Sequence, residues 1–273
     1  MRLRISHLST FRYETPASSA IQMLRLTPRN HEGQYVARWR IDVSTDCRLD
    51  QQEDAFGNIS HAFSAEGPFN ELSVLVEGEV ETRDTQGIVR GAVERFPPTL
   101  FLRETPFTAA SPTIAEFAKM ARDTAKGDTL GLLHVMLDRL HETMALEFDV
   151  APRATTAAEA FANRRATCRD LAHIFIAAAR SLEVPARYVS GYICPEGDAP
   201  QAISAWAEAH VPGLGWVAFD AANGMCATDA YVRIAIGLDR LGAAAVRGTR
   251  SGGTGEVLTV KLKVEQAAQQ NQN

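Results

Sequence analysis

Thr167-Cys168-Arg169-Asp170-Leu171-Ala172-His173-Ile174-Phe175-Ile176-Ala177-Ala178 sets a hydroxyl three positions ahead of an acid and then runs apolar. This is a capping box: the Thr167 side chain caps the Asp170 amide, and the Asp170 carboxylate reaches back. It predicts a helix that starts at Cys168 and ends near Leu182, before Val184-Pro185. A thiol at the first helical position meets free N–H groups and the positive end of the helix dipole. Both favour thiolate over thiol, and the same N–H groups can hold an oxyanion. Cys168 is therefore the candidate nucleophile; a small buried side chain is the plainer reading. Asp170 has a structural task as the cap.

Downstream, Ser204-Ala205-Trp206-Ala207-Glu208-Ala209-His210 and Trp216-Val217-Ala218-Phe219-Asp220 read as two strands about a turn at Pro212-Gly213. A turn centred near residue 212 sets position 204 across from Asp220. That is a suitable place for a proton carrier and its orienting carboxylate.

Away from these two segments the chain divides by pattern. Short alternating stretches at residues 3–9, 20–27, 35–44, 58–63 and 72–82 predict a small antiparallel β-sandwich over residues 1–95. Residues 96–113 carry Pro97-Pro98, Pro106 and Pro112 and read as a linker. Helical periodicity follows: Ser111-Pro112 as N-cap and first residue of one helix, a second helix over 129–144, and a short one over 156–163. Strands are expected at 186–194, 203–211, 216–221, 230–236 and 257–264. The core domain thus spans 114–264, and the Gln- and Asn-rich residues 265–273 read as a mobile tail. The fold class is α+β, a β domain followed by a core in which the cysteine helix packs on an antiparallel sheet.

Composition excludes several functions. With 45% hydrophobic and 22% charged residues and a net charge of −5, the 273-residue chain is an ordinary globular one. No overall positive charge recruits nucleic acid or anionic lipid, and the cluster Arg164, Arg165, Arg169 reads as solvated surface. No stretch nears the roughly 20 apolar residues of a membrane span, and the start lacks a signal-peptide core. Cys47, Cys168, Cys194 and Cys226 form no CxxC pair, which suits free thiols in a cytoplasmic setting. Without HExxH, Walker or GxGxxG motifs, no metal or other cofactor is expected.

The segments Cys168-Arg169-Asp170-Leu171-Ala172-His173 and Val184-Pro185-Ala186-Arg187-Tyr188-Val189-Ser190-Gly191, with Ala205-Trp206-Ala207-Glu208 and Gly215-Trp216-Val217-Ala218-Phe219-Asp220, resemble the core of the bacterial transglutaminase-like superfamily. His7, the run 24–29, Asp54-Ala55-Phe56-Gly57-Asn58, and the later segments 233–239 and 246–248 resemble the same proteins outside that core. The resemblance implies a papain-like core and Cys–His–Asp chemistry on the amide of a peptide or glutamine-type substrate. It makes Cys168 the nucleophile and Asp220 the residue that orients the imidazole. It suggests that Trp206 walls the cleft or steadies an oxyanion; core packing is the other reading. The family histidine immediately precedes the Ala-Trp pair, and that position is Ser204. A serine hydroxyl does not titrate near neutral pH and cannot shuttle a proton as imidazole does.

No other histidine is an evident replacement. His173 is five residues beyond Cys168, about 500° around the helix, and points elsewhere. His210 sits about 20 Å along the strand from position 204 and reads as an exposed turn residue. His134 and His141 share one face of the second helix, with helix surface as their default; His7, His31 and His61 belong to the β domain. Cys194 and Cys226 have no helix terminus beside them and read as inert. Three readings stand: an enzyme with a replacement base or a weak thiolate activity, a non-catalytic member that binds a peptide or partner, and an engineered inactive variant.

Overall fold

The computed structural model describes residues 1–125, 127–148, 155–195, 197 and 203–267. In chain order these form β1 (Arg2–Thr27), β2 (Gln34–Val43), β3 (Asp50–Glu53), β4 (Ile59–Thr82) and β5 (Ile88–Val89). A short 3-10 segment, Pro98–Leu102, precedes α1 (Pro112–Ala125), α2 (Thr129–Thr143), β6 (Ala145–Leu146), α3 (Ala157–Asn163), β7 (Arg165–Ala166) and α4 (Cys168–Ser181). The remainder is β8 (Ala186–Ile193), β9 (Ser204–Val211), β10 (Gly215–Asp220), β11 (Met225–Cys226), β12 (Tyr231–Gly237), β13 (Val246–Gly252) and β14 (Val257–Gln266).

The first sheet runs β13-β1-β4-β2, with β14 also on β1 and β3 on β4. The stretches 3–9 and 20–27 are one strand rather than two, and so are 58–63 and 72–82. Pro16 and Gly67-Pro68 bend the strands without ending them, because the β1–β4 ladder shifts register between Arg12, Ala17 and Ser19 and then resumes. Phe11, Tyr13, Leu72 and Val74 from one half share a core with Ala20, Leu24, Leu26 and Phe63 from the other. The sandwich is a single sheet folded over itself.

Two expected boundaries move. β13 and β14 lie along β1, with Leu24 opposite Val246 and Leu3 opposite Gln266. Residues 246–266 therefore return to the first sheet instead of ending the core domain at 264. Glu265 and Gln266 are ladder residues, not tail, because β1 offers them an unpaired edge; residues 268–273 lie outside the described residues. The stretch 96–113 is also more than a linker. Phe101 is buried edge-on against Trp216, 5.2 Å between ring centroids, and β5 before it already pairs with Trp216 and Val217.

The second sheet has the order β11-β10-β9-β8-β12, with β5 on β10. The central helix α4 packs on β8 and β9 and is flanked by α1, α2 and α3. Every residue from Asp170 to Arg180 is buried, as expected of a helix enclosed on all sides. Its last-turn guanidinium, Arg180, donates to the carbonyls of Phe101, Ala186 and Leu238 and to the Thr108 hydroxyl. These bonds satisfy a buried charge and fix where the helix ends. Among the described residues no helix is long and apolar enough to cross a membrane, and no group of three His, Cys, Asp or Glu could hold a metal ion.

The first sheet domain covers the free edge of β12. The Gln34 side chain donates to the Arg233 carbonyl (2.9 Å) and accepts from its N–H (2.8 Å), and Asn58 does the same for Ile236 (both 2.8 Å). Two carboxamides thus stand in for a missing strand.

Beneath this joint Glu208 is fully buried in β9. Arg187 of β8 donates Nε to it at 2.6 Å; Arg233 of β12 donates Nε at 2.6 Å and Nη2 at 3.1 Å. Burial alone would raise the Glu208 carboxyl, but the charges of Arg233 and Arg187 win and hold it down at about 2. Its charged form therefore stabilises the fold fully above the ordinary Glu range, and that contribution is lost as pH falls from about 4.5 through about 2. Glu208→Gln keeps the shape but leaves two guanidiniums without their counter-charge. It should cost about 3–5 kcal/mol in urea unfolding at pH 7, and the loss relative to the parent chain should shrink as pH is lowered through that window.

Candidate active site

The Cys168 end of α4 forms as its sequence dictates. Thr167 Oγ1 accepts from the Asp170 N–H (3.3 Å), and Asp170 Oδ2 accepts from the Thr167 N–H (3.0 Å) and hydroxyl (2.7 Å). The reciprocal cap fixes Cys168 at the first helical position and commits Asp170 to structure.

The hairpin register differs by two residues from the sequence expectation. Val211 pairs with Gly215 and Ala207 with Phe219, so the turn is centred at residue 213 and not 212. Extended by one residue, the register sets Asp220 opposite Trp206 and leaves Ser204 diagonal to it on the same face. A diagonal of about 7–8 Å between backbone positions is one that a long ring spans and a hydroxymethyl does not. The paired ladder stops at Ala207, two residues short of Ala205. The Ala205 N–H consequently bonds the Cys168 sulfur, as does the N–H of Arg169.

Asp220 is 1% exposed, and its carboxylate is already held by four donors. Oδ1 accepts from the N–H groups of Ala222 (2.9 Å) and Asn223 (3.3 Å). Oδ2 accepts from the Asn223 side chain (2.7 Å) and the Tyr231 hydroxyl (3.0 Å). Four donors match the roughly four lone-pair sites of a carboxylate. Burial nevertheless raises the Asp220 carboxyl above its usual range despite these bonds.

The expectation of an activated thiolate is reversed. Cys168 is partly exposed as a residue, but burial of its sulfur pushes the thiol up, and the negative charge of Asp220 pushes it the same way. The Arg169 charge and the N–H groups of Ala205 and Arg169 oppose this and do not prevail. Desolvation outweighs a helix terminus here. The groups that bear most on the sulfur are Arg169, Asp220 and those two amides, and no histidine is among them.

The histidines lie elsewhere. His173 is fully buried between Phe107 and Tyr188, with Nε2 accepting from the Arg240 N–H at 3.0 Å. His210 is a strand residue of β9 opposite Trp216, its ring edge-on to the indole, rather than an exposed turn residue. His7 is buried against Tyr192, at 2.8 Å from its hydroxyl, at the joint between the sheets. His134 turns toward the second sheet and packs edge-on to Phe219, whereas His141 stays exposed on the helix surface, with Nδ1 donating to the Ala221 carbonyl at 3.2 Å. Trp206 sits with Phe101, Val189, Trp216 and Tyr231, whereas Cys168 packs with the helix-side core.

The structure therefore brings together Cys168, the start of β9 with Ser204 and Ala205, and Asp220. Asn223 and Tyr231 were missed from sequence. Asn223 had a signal, since an Asp closing a strand with Asn three residues on marks a side-chain-stabilised turn. Tyr231 had none, because it reaches Asp220 from another strand.

Residues 3–81 match the family model of the bacterial transglutaminase-like N-terminal region, and residues 119–221 match that of the transglutaminase-like superfamily. The chain belongs to the transglutaminase-like superfamily. An uncharacterized protein of Mycobacterium leprae is 28% identical to it over 98% of this chain and 99% of its own. One of Mycobacterium tuberculosis is 24% identical, over 90% and 87%. A solved cysteine-protease candidate from Cytophaga hutchinsonii superposes with a TM-score of 0.76 at 19% identity, covering 98% of this chain and 92% of that one. The shared fold thus includes both sheets of this transglutaminase-like chain.

Because the Asp220 charge raises the Cys168 thiol, Asp220→Asn should shift the pH midpoint of Cys168 alkylation downward. Iodoacetamide labelling followed by peptide mapping measures that midpoint. An unchanged midpoint in a folded variant would separate the two groups electrostatically.

Proposed function

We propose that the chain is a transglutaminase-like thiol amidase or acyltransferase scaffold arrested at the proton-transfer step, one that engages a peptide or protein amide without efficient turnover. The observation that carries this reading is the company of the Cys168 sulfur: a carboxylate, two backbone N–H groups and a guanidinium, with serine where the imidazole belongs. The parts kept are the nucleophile, the amides able to face an oxyanion, and the carboxylate. The missing part is the group that would take the thiol proton and return it to the leaving amine. A thiol raised by burial cannot offset that loss, since the neutral form is a poor nucleophile. The Cytophaga protein's description as a cysteine-protease candidate supports an amide of a peptide or protein as the substrate class.

The test is an amidase and amine-transfer assay on peptide amides, comparing the parent chain with Ser204→His. The parent should remain near the uncatalysed rate. The imidazole at 204 can reach Asp220 along the diagonal and replace its longest bond, the 3.3 Å contact from the Asn223 N–H. The gain should be about 10²–10⁴-fold, the usual contribution of a positioned base. It should vanish when Cys168→Ala is added. Strong activity in the parent chain, or a folded Ser204→His variant that stays inert, would overturn the reading.

A further inference from the structure

Cys226 on β11 and His134 on α2 are 92 residues apart in sequence, and the fold sets the thiol sulfur 3.6 Å from the histidine Nε2. His134 Nδ1 lies 2.9 Å from the Leu130 carbonyl oxygen. A carbonyl only accepts, so Nδ1 carries the proton and Nε2 presents a lone pair to the thiol. The ring is held in that orientation by the edge-on contact with Phe219, 5.5 Å between centroids, and Phe219 is the ladder partner of Cys226. Both Cys226 and His134 are partly exposed. A nucleophile, a base within reach of it, and a third group fixing the base's tautomer are the parts of an activated thiol.

We propose that Cys226 and His134 form a second thiol centre, separate from Cys168, that takes up acyl groups from ester- or thioester-class donors. Cys226 Sγ attacks the acyl carbon as its proton passes to His134 Nε2. The new S–C bond forms, the bond from carbon to the leaving oxygen or sulfur breaks with its electron pair, and His134 returns the proton to that leaving group. Burial and the Asp138 charge keep the resting thiol protonated, so His134 acts as a general base during the step rather than as half of a standing ion pair. This centre stands on its own observations and does not depend on the Cys168 reading.

The experiment treats the full chain with p-nitrophenyl acetate, follows p-nitrophenolate release, and maps the acetyl group by mass spectrometry. The expected result is a fast phase of one equivalent with the acetyl on Cys226. His134→Gln should slow that phase by about 10²-fold or more, and Cys194→Ser should leave it unchanged. Acetyl spread over the four cysteines in proportion to exposure, or found on Cys168 alone, overturns the proposal; so does a folded His134→Gln chain that reacts at the parent rate. Should His134→Gln fail to fold, the solvent isotope effect on the parent chain's fast phase decides. Proton transfer to His134 during the attack predicts a phase that slows in D2O, whereas attack by a thiolate ionised beforehand does not slow, and an unslowed phase overturns the proposal.

Discussion

The buried carboxylate of Glu208 is the constraint on which the candidate site rests. It lies on β9 and draws Arg187 from the adjacent strand β8 and Arg233 from β12, one strand further on. Arg187 in turn grips Glu94 with both terminal nitrogens and lies 3.9 Å from the centre of the Trp216 ring. A one-residue slip of β9 would carry Glu208 to the opposite face and strand both guanidiniums in an apolar setting. The register that sets Ser204 diagonal to Asp220, and aims the Ala205 amide at Cys168, is therefore enforced four residues away by charge and not by the site's own contacts.

The first sheet is tied into the same arrangement. Gln34 serves the backbone of Arg233, so the segment that bridges the two domains also touches the residue that neutralises Glu208. His31 lies close enough for the Arg233 charge to reinforce burial in lowering its imidazole to about 4. His7, lowered to about 4 by burial, sits against Tyr192 at the same joint. Neutral imidazoles at the joint favour the docked state above the ordinary histidine range and oppose it as pH falls toward 4. The two sheets thus share an acid-sensitive boundary although the candidate chemistry lies on the second sheet and the helices packed against it.

What could be read from the sequence depended on range. Thr167 and Asp170 declared the start of α4 because a capping box is complete within four residues. The hairpin was legible as a hairpin, but a turn containing both Pro212 and two glycines allows more than one centre, and moving the centre by one residue moves the partner of Asp220 by two. Pro16 and Gly67-Pro68 looked like strand ends because local rules cannot tell a bend from a stop when a partner strand bends alongside. The state of the Cys168 thiol was misjudged for a related reason. The helix terminus that lowers it is local, whereas the burial and the Asp220 charge that raise it come from strands beyond the reach of a local reading. His134 beside Cys226 could not be seen at all, since nothing in either neighbourhood refers to the other.

The return of β13 and β14 to β1 has a consequence for how the molecule is made. During synthesis β1 emerges first, and its partner on one side, β4, follows within about one domain's length. Its other edge has to remain open until residues 246–266 arrive, after the whole helical core has been produced. The sheet that looks like an independent leading domain is topologically the last to close, a non-local pairing of the kind that slows folding. For that interval the nascent chain presents a long unpaired strand edge to its surroundings, and selection on β1 has to satisfy this waiting state as well as the finished fold.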